Sequence, residues 1–122
     1  MSPSPSDVLR HMLNEANFLL MHGASTVLDD FLQDDVLQRA FVRSIEIIGE
    51  AAGKLPEDLK QKHGGIDWRA LSAMRNRLIH GYFGVDYEIV WDVITRKIPE
   101  LRDELSMMLH EVQEVQSETS PD

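Results

Sequence analysis

The sequence predicts an all-α protein, an up-and-down helical bundle with a long, kinked C-terminal helix. Nearly every segment carries apolar residues at helical spacing, none alternates like a strand, and capping residues and glycines separate the segments. The 122 residues, 43% of them apolar, suffice for one domain with a single modest core. We place this domain at residues 7–115, between disordered tails at residues 1–6 and 116–122.

The first 33 residues predict two helices of unequal length. Ser6 or Asp7 can cap a first helix that runs to about His22, where Gly23 ends it. A short second helix follows, with Ser25 as its cap. The apolar residues of the first helix form one stripe, made of Val8, Met12, Ala16, Leu19 and Leu20.

A long third helix and a short fourth helix are predicted next. Asp34 or Asp35 can open the third helix, which runs to about Lys54. Pro56 stands where a helix can begin, so residues 57–62 are expected to form a short helical turn. Apolar or small residues give the third helix a broad core-facing arc: Leu37, Phe41, Ser44, Ile45, Ile48, Ala51, Ala52 and Leu55.

Two further capping signals divide the C-terminal half. Asp67 is a suitable N-cap for a helix that runs through Leu78, and Gly81 or Gly84 is its natural end. Asp86 then opens the last helix.

The last helix carries apolar residues at alternating spacings of four and three, which is a heptad seam. Pro99 lies inside this seam without changing its register, so we expect one helix kinked at Pro99 or two collinear pieces. A seam this long on a small bundle indicates that a partner chain covers part of the apolar surface. The seam consists of Tyr87, Trp91, Ile94, Ile98, Leu101, Leu105, Met108, Val112 and Val115.

Composition excludes several classes of function. The chain has no cysteine, which excludes disulfides, thiolate nucleophiles and cysteine-based metal sites. It has no apolar run of the roughly 18 residues that a membrane span needs, and its N-terminus lacks the pattern of a signal peptide. Pairs of acidic or histidine residues one turn apart lack a third ligand, so we predict no metal and no cofactor. A cytoplasmic protein without membrane contact is the expectation.

The charge is distributed unevenly along the chain. The net charge is −9, which disfavours a nucleic-acid-binding protein, but residues 54–80 carry a net +3 and the remainder therefore −12. Such a basic segment on an acidic body can hold an RNA backbone, with Lys62, Arg69 and Arg77 as the candidate contacts. The alternative is a chance fluctuation of surface charge.

Residues 75–82 (RNRLIHGY) combine groups that can process a phosphodiester. Arg75 is a cation for phosphate, His80 titrates near neutral pH and can serve as general acid or base, and Tyr82 offers a phenol hydroxyl. Asn76 can orient the imidazole or touch the substrate. The alternatives are a surface histidine near a helix end and a half-buried tyrosine ring.

Arg75 falls in the middle of an apolar cluster on a helical wheel, whereas Arg77 points away from it. An arginine facing a core requires an anionic partner, because its desolvation is otherwise costly. That partner is a carboxylate of this chain (Glu46 or Glu50), a carboxylate of another subunit or a phosphate of the ligand. The sequence leaves these three possibilities open.

At these residues the chain resembles the HEPN superfamily of ribonucleases, whose motif is an arginine followed by four to six residues, the first of them polar, and then by histidine, any residue and tyrosine. Arg75, Asn76, His80 and Tyr82 match every element. Further blocks resemble the HepT-like toxin branch over roughly residues 7–110: 44–52 (SIEIIGEAA), 55–57 (LPE), 67–70 (DWRA) and 75–91 (RNRLIHGYFGVDYEIVW).

The resemblance implies a HEPN-like bundle that forms homodimers, with two motifs side by side in an interface cleft, and that cuts RNA without a metal. It implies that His80 and Arg75 are catalytic and that Asn76 and Tyr82 support them. It further implies a toxin of a type VII-like toxin–antitoxin system. The cognate antitoxin would be a minimal nucleotidyltransferase that transfers AMP to Tyr82.

A competing hypothesis needs no catalysis. The chain would then be a helical module that binds RNA, a nucleotide or another protein and partners a nucleotidyltransferase, with Arg75 and His80 in structural or binding roles.

Overall fold

The computed structural model describes residues 3–78 and 84–119, except for the side chains of Arg75 and of residues 116–119. It confirms the all-α class and the long C-terminal helix. Helices α1 to α8 span, in chain order, Pro5–Ala24, Leu28–Phe31, Asp35–Ala52, Glu57–Lys62, Trp68–Ser72, Met74–Leu78, Tyr87–Asp92 and Ile98–Thr119, and a π-helical turn, Val93–Lys97, joins the last two.

Three long helices enclose the core. α1 packs against α3 on one side and against α8 on the other, so its apolar stripe is covered from two directions. Phe31 of the short α2 stacks on Phe41 of α3 at 5.3 Å and approaches Trp91 of α7 at the same distance. The largest fully buried side chains are Phe31, Phe41, Leu9, Met12, Leu19, Ile45, Ile48, Leu78, Ile94, Ile98, Leu105 and Met108.

The two ends of α1 differ from the prediction. The helix begins at Pro5, and the N-cap is Ser4, whose Oγ accepts a hydrogen bond from the Asp7 amide at 3.2 Å. Ser25 caps the C-terminal end of α1 and does not open α2, because its hydroxyl donates to the His22 carbonyl at 3.1 Å. A serine near two helix ends can serve either of them, and here the unpaired carbonyl of the first helix is the partner.

The C-terminal helical run passes through Pro99 without a break. A proline has no amide hydrogen, so a regular α-helical turn would leave a carbonyl unpaired there. The preceding turn widens into a π-helix, in which the Ile98 amide donates to the carbonyl of Val93, five residues back. The Thr95 hydroxyl donates to the Trp91 carbonyl at 3.0 Å. The run then continues to Thr119, past the domain end that we set at residue 115, and the domain bounds stay a prediction.

The seam of the last helix is buried in its central part, from Ile94 to Met108, and ends at an exposed Val115. Met107, beside the seam, is also exposed. Coverage of this face by a partner chain remains a prediction.

Gly49 of α3 permits a close approach between two helices. A Cβ built on Gly49 would lie 3.1 Å from the carbonyl oxygen of Leu71, on the backbone of α5. A backbone atom in a packed helix cannot move as readily as the end of a side chain, so a Cβ at residue 49 would press against α5 at its present position.

We expect Gly49→Ala to lower the free energy of unfolding by about 1–2 kcal/mol, because the strain outweighs the gain in helix propensity. Gly53→Ala is the matched control, since a Cβ there would lie 3.5 Å from the Glu50 carbonyl, an ordinary contact. Gly53 has helical dihedral angles, so its replacement should stabilise the protein by about 0.4–1 kcal/mol. Urea unfolding of both variants measures the difference. Equal stabilities would mean that α5 can move away from α3.

Candidate functional site

The motif-bearing segment is divided into two short helices. Asp67 caps α5, as predicted, and its Oδ1 accepts from the Ala70 amide at 3.0 Å. α5 ends at Ser72, because Ala73 has φ −87° and ψ 0°, and α6 starts at Met74. The prediction of one helix from Asp67 through Leu78 was therefore wrong at Ala73. The helical wheel that placed Arg75 among the apolar residues assumed an unbroken helix, so it does not apply across this turn.

Two other helices of the bundle, α3 and α7, pack against this segment. α5 and α6 both pack against α3, and α6 also contacts α7. Leu71, Met74 and Leu78 provide the buried contacts, while Asn76 and Arg77 of α6 are exposed. The solvent exposure predicted for Arg77 is confirmed. α6 therefore presents polar groups of the motif on the surface.

Possible partners for Arg75 lie on α3. Glu46 pairs with Arg43 of its own helix at 3.5 Å and its side chain is 21% exposed, whereas Glu50 is exposed. The side chain of Arg75 lies outside the described part of the chain, so a pair with Glu46 or Glu50 stays a prediction.

His80 and Tyr82 lie in residues 79–83, outside the described residues. The residues on either side of them are held together, because the Asp86 amide donates to the Leu78 carbonyl at 2.9 Å. Asp86 also caps α7, since its Oδ1 accepts from the amides of Glu88 and Ile89 at 3.1 and 3.2 Å. Gly84 adopts φ +85°, which favours glycine. The hydrogen bond between Asp86 and Leu78 thus holds the start of α7 next to the end of α6.

The exposed cations of the basic segment are available to a ligand. Lys62, Arg69 and Arg77, the predicted RNA contacts, are exposed and make no ion pair among the described residues, and the same holds for Lys54. Lys60 is the exception, since it pairs with Glu57 at 3.4 Å.

The cations elsewhere are more often neutralised. Four pair with acids that lie at most four residues away along the chain, whereas Arg39 and Lys97 make no ion pair in the described ranges. The paired residues are Arg10 with Asp7, Arg43 with Glu46, Arg96 with Asp92, and Arg102 with Asp103. Within the described part of the chain, cations without an ion pair are therefore most frequent at residues 54–77, although the chain is acidic overall.

Lys54 was not among the predicted contacts. Glu50 stands four residues before it, at the spacing of a helical ion pair, which predicts neutralisation. α3 ends at Ala52, so this spacing no longer brings the two side chains together. The sequence predicted a helix end near Lys54, and the end at Ala52 is the feature that this prediction missed.

Residues 3–78 and 84–119 contain no group of three or more histidine, aspartate or glutamate side chains able to hold a metal ion. Among the same residues, no helix combines the length and hydropathy that crossing a bilayer requires.

Comparison with known proteins gives a consistent result. A family model described as "Ribonuclease HepT-like" matches residues 12–108. A protein of Caldanaerobacter subterraneus subsp. tengcongensis, named "Putative RNase", is 44% identical over 106 residues, which cover 87% of this chain and 95% of that protein. A protein of Thermococcus cleftensis, named "Probable ribonuclease HepT", is 37% identical over 102 residues, covering 84% and 93% of the two chains.

A protein of Methanocaldococcus jannaschii, also named "Putative RNase", is 36% identical over 107 residues, with coverage of 88% and 85%. No solved structure matches the chain.

Proposed function

Because the chain belongs to the HepT-like ribonuclease family, we propose that it is a metal-independent ribonuclease toxin of a type VII-like toxin–antitoxin system in the cytoplasm. It cuts RNA in a cleft at a homodimer interface and is silenced by AMPylation of Tyr82. The observation that carries this proposal is the complete Arg75, Asn76, His80 and Tyr82 motif, which begins on α6, where Asn76 and Arg77 are exposed and Arg77 makes no ion pair among the described residues.

The residues of the motif supply the groups for a transesterification. His80, as general base, takes the proton of a ribose 2′-hydroxyl, and the 2′-oxygen attacks the neighbouring phosphorus. The bond from phosphorus to the 5′-oxygen breaks, and that oxygen leaves with a proton delivered by a general acid. Arg75 stabilises the additional negative charge of the phosphorane-like transition state, and Asn76 positions the phosphate or the imidazole.

A dimer resolves a difficulty in this chemistry. In-line displacement needs a base on the side of the nucleophile and an acid on the side of the leaving group, and the motif holds one histidine. Two motifs in one cleft supply both groups, one imidazole neutral and the other protonated. Dimerisation also doubles the positive charge available to the RNA backbone.

The same cleft explains how an antitoxin can act. A cognate minimal nucleotidyltransferase would transfer the AMP group of ATP to the hydroxyl of Tyr82, with pyrophosphate as the leaving group. The product places a bulky anionic phosphodiester where the phosphate of RNA must bind. Steric exclusion and like-charge repulsion then both oppose substrate binding.

The test begins with purified protein whose intact mass shows no added AMP. Incubation with total RNA in the presence of EDTA is expected to give cleavage, and pretreatment with a nucleotidyltransferase and ATP is expected to abolish it. A Tyr82→Phe variant that escapes this inhibition would assign the modification to the hydroxyl. Unmodified dimer without activity would favour the non-catalytic interaction module, and a monomer in sedimentation at micromolar concentration would contradict the shared cleft.

A further inference from the structure

A buried histidine ties the turn between α4 and α5 to the last helix. His63 is 7% exposed, and no role in the proposed chemistry uses it. Its Nδ1 lies 2.8 Å from Oε1 of Glu104, and its Nε2 lies 3.0 Å from Oε2 of Glu111. Both carboxylates belong to α8 and stand two turns apart, so the ring bridges two points of that helix.

The two contacts of the His63 ring can both be hydrogen bonds only if each has a hydrogen atom between its two heavy atoms. Each joins a ring nitrogen to a carboxylate oxygen, so each needs one hydrogen between the two atoms. A neutral imidazole has a single N–H, so both bonds form only when the ring or one carboxyl carries an additional proton. The side chain of Glu104 is 30% exposed and that of Glu111 is 52% exposed, so the bond to Glu104 is the better shielded from water.

The main chain of His63 also forms hydrogen bonds with Trp68 of α5 and with the turn before it. Its carbonyl oxygen accepts from the indole Nε1 of Trp68 at 3.1 Å and from the Ile66 amide at 3.2 Å. The same indole also donates to the Lys60 carbonyl at 3.1 Å. Trp68 is the first residue of α5, so these bonds hold the start of that helix to the turn that carries His63.

The neighbouring charges do not compete for the two glutamates. Lys60, on the helix before His63, is directed to Glu57 at 3.4 Å and to the Ala52 carbonyl at 3.4 Å. Lys62 is exposed and makes no ion pair in the described part of the chain. Among the described residues, the clasp therefore consists of His63, Glu104 and Glu111.

We propose that His63 is a positioning residue for the motif. Its ring holds the turn between α4 and α5 on α8, and its carbonyl fixes the Trp68 indole, so that α5 and then α6 hold the backbone of Arg75 in one place. The effect on RNA cleavage rests on the proposed ribonuclease function. The mechanical link from the glutamates through His63 to Trp68 does not rest on it.

Substitutions at Glu104 separate the hydrogen bond from the charge. Glu104→Ala removes the inner contact of the ring. Glu104→Gln keeps it, because the amide can donate to a neutral ring whose other nitrogen donates to Glu111. Glu114→Ala is the matched control: Glu114 pairs with His110 on the same helix at 3.1 Å, but these two side chains are 62% and 73% exposed.

The experiment follows the indole N–H resonance of Trp68, assigned with Trp91→Phe, together with kcat and KM for RNA cleavage. We expect Glu104→Ala to shift the Trp68 resonance and to lower kcat by about 10- to 100-fold at a nearly constant KM, since small misplacements of catalytic groups have effects of this size. Glu104→Gln should restore both readouts, and Glu114→Ala should leave both unchanged.

Several outcomes would overturn the proposal. They are an unchanged Trp68 resonance in folded Glu104→Ala, a shifted resonance with unchanged kcat, and equal behaviour of the alanine and glutamine variants. If Glu104→Ala does not fold, Glu111→Ala, at a more exposed position, takes its place with the same readouts. If wild-type protein cuts no RNA, the ribonuclease proposal fails, while the Trp68 resonance still decides whether the clasp exists.

Discussion

Replacement of His80 by alanine is expected to lower RNA cleavage by about 10²- to 10⁴-fold, because the reaction loses its proton-transfer group. The loss should fall mainly on kcat, since an imidazole contributes little to binding of the RNA backbone. Single-turnover cleavage of a defined RNA in EDTA, with wild type and variant at equal concentration, measures it. Cleavage by the wild type in chelator would establish independence from metal in the same experiment.

The controls must separate chemistry from folding. Circular dichroism and sedimentation of His80→Ala should match the wild type. His22 is a suitable control position, because it lies on α1, outside the motif, with its ring tilted against that of Phe18 at a centroid distance of 4.6 Å. His22→Ala should retain cleavage. Full activity in His80→Ala would remove the general-base role, and equal losses in the two variants would point to a general effect of losing histidine.

Local rules of physical chemistry predicted much of the fold. Asp34, Asp67 and Asp86 were predicted as N-caps or as one of two candidates, and each accepts hydrogen bonds from the first turn of its helix. The helix of residues 57–62 after Pro56 was also predicted correctly. These features depend on hydrogen bonds across three or four residues, which is the range that a sequence pattern expresses.

Features that depend on tertiary contacts could not be predicted. The π-helical turn before Pro99 reflects a choice between a kink and a widened turn, and the sequence allows both. The break at Ala73 lies in a segment of good helix formers, and the helical wheel that placed Arg75 among apolar residues does not apply across it. The clasp at His63 joins residues 41 and 48 positions apart, so no local pattern announces it.

The candidate site divides in the same way. The motif and the further sequence blocks around it indicated the family, because a pattern of residue types and spacings can be read without knowledge of the helix packing. The exposure of Arg77 agrees with the prediction, whereas the lack of an ion pair for Lys54 among the described residues reflects the end of α3 at Ala52. Sequence patterns therefore indicated which chemistry to expect, and the packing of α5 and α6 determined where some of its residues lie.

Arg75→Ala is expected to lower cleavage by about 10²- to 10³-fold while the helix content stays unchanged, because the transition state loses a positioned cation. Arg75→Lys should recover part of this loss, since lysine keeps the charge but cannot bind two phosphate oxygens in the planar fork geometry of arginine. Cleavage rates at saturating RNA, measured beside circular dichroism and urea unfolding, provide the comparison.

Arg77→Ala is the matched control, because Arg77 stands two residues further along α6, is exposed and has no ion-pair partner in the described ranges. Its loss should weaken RNA binding across sequences and reduce the slope of log affinity against log salt by about one, with kcat nearly unchanged. If Arg75 had only a structural role, its replacement would lower the stability of the fold and not the cleavage rate of the folded protein. Arg75→Ala would then unfold at lower urea concentration, and a partner substitution such as Glu50→Gln would lose stability in parallel.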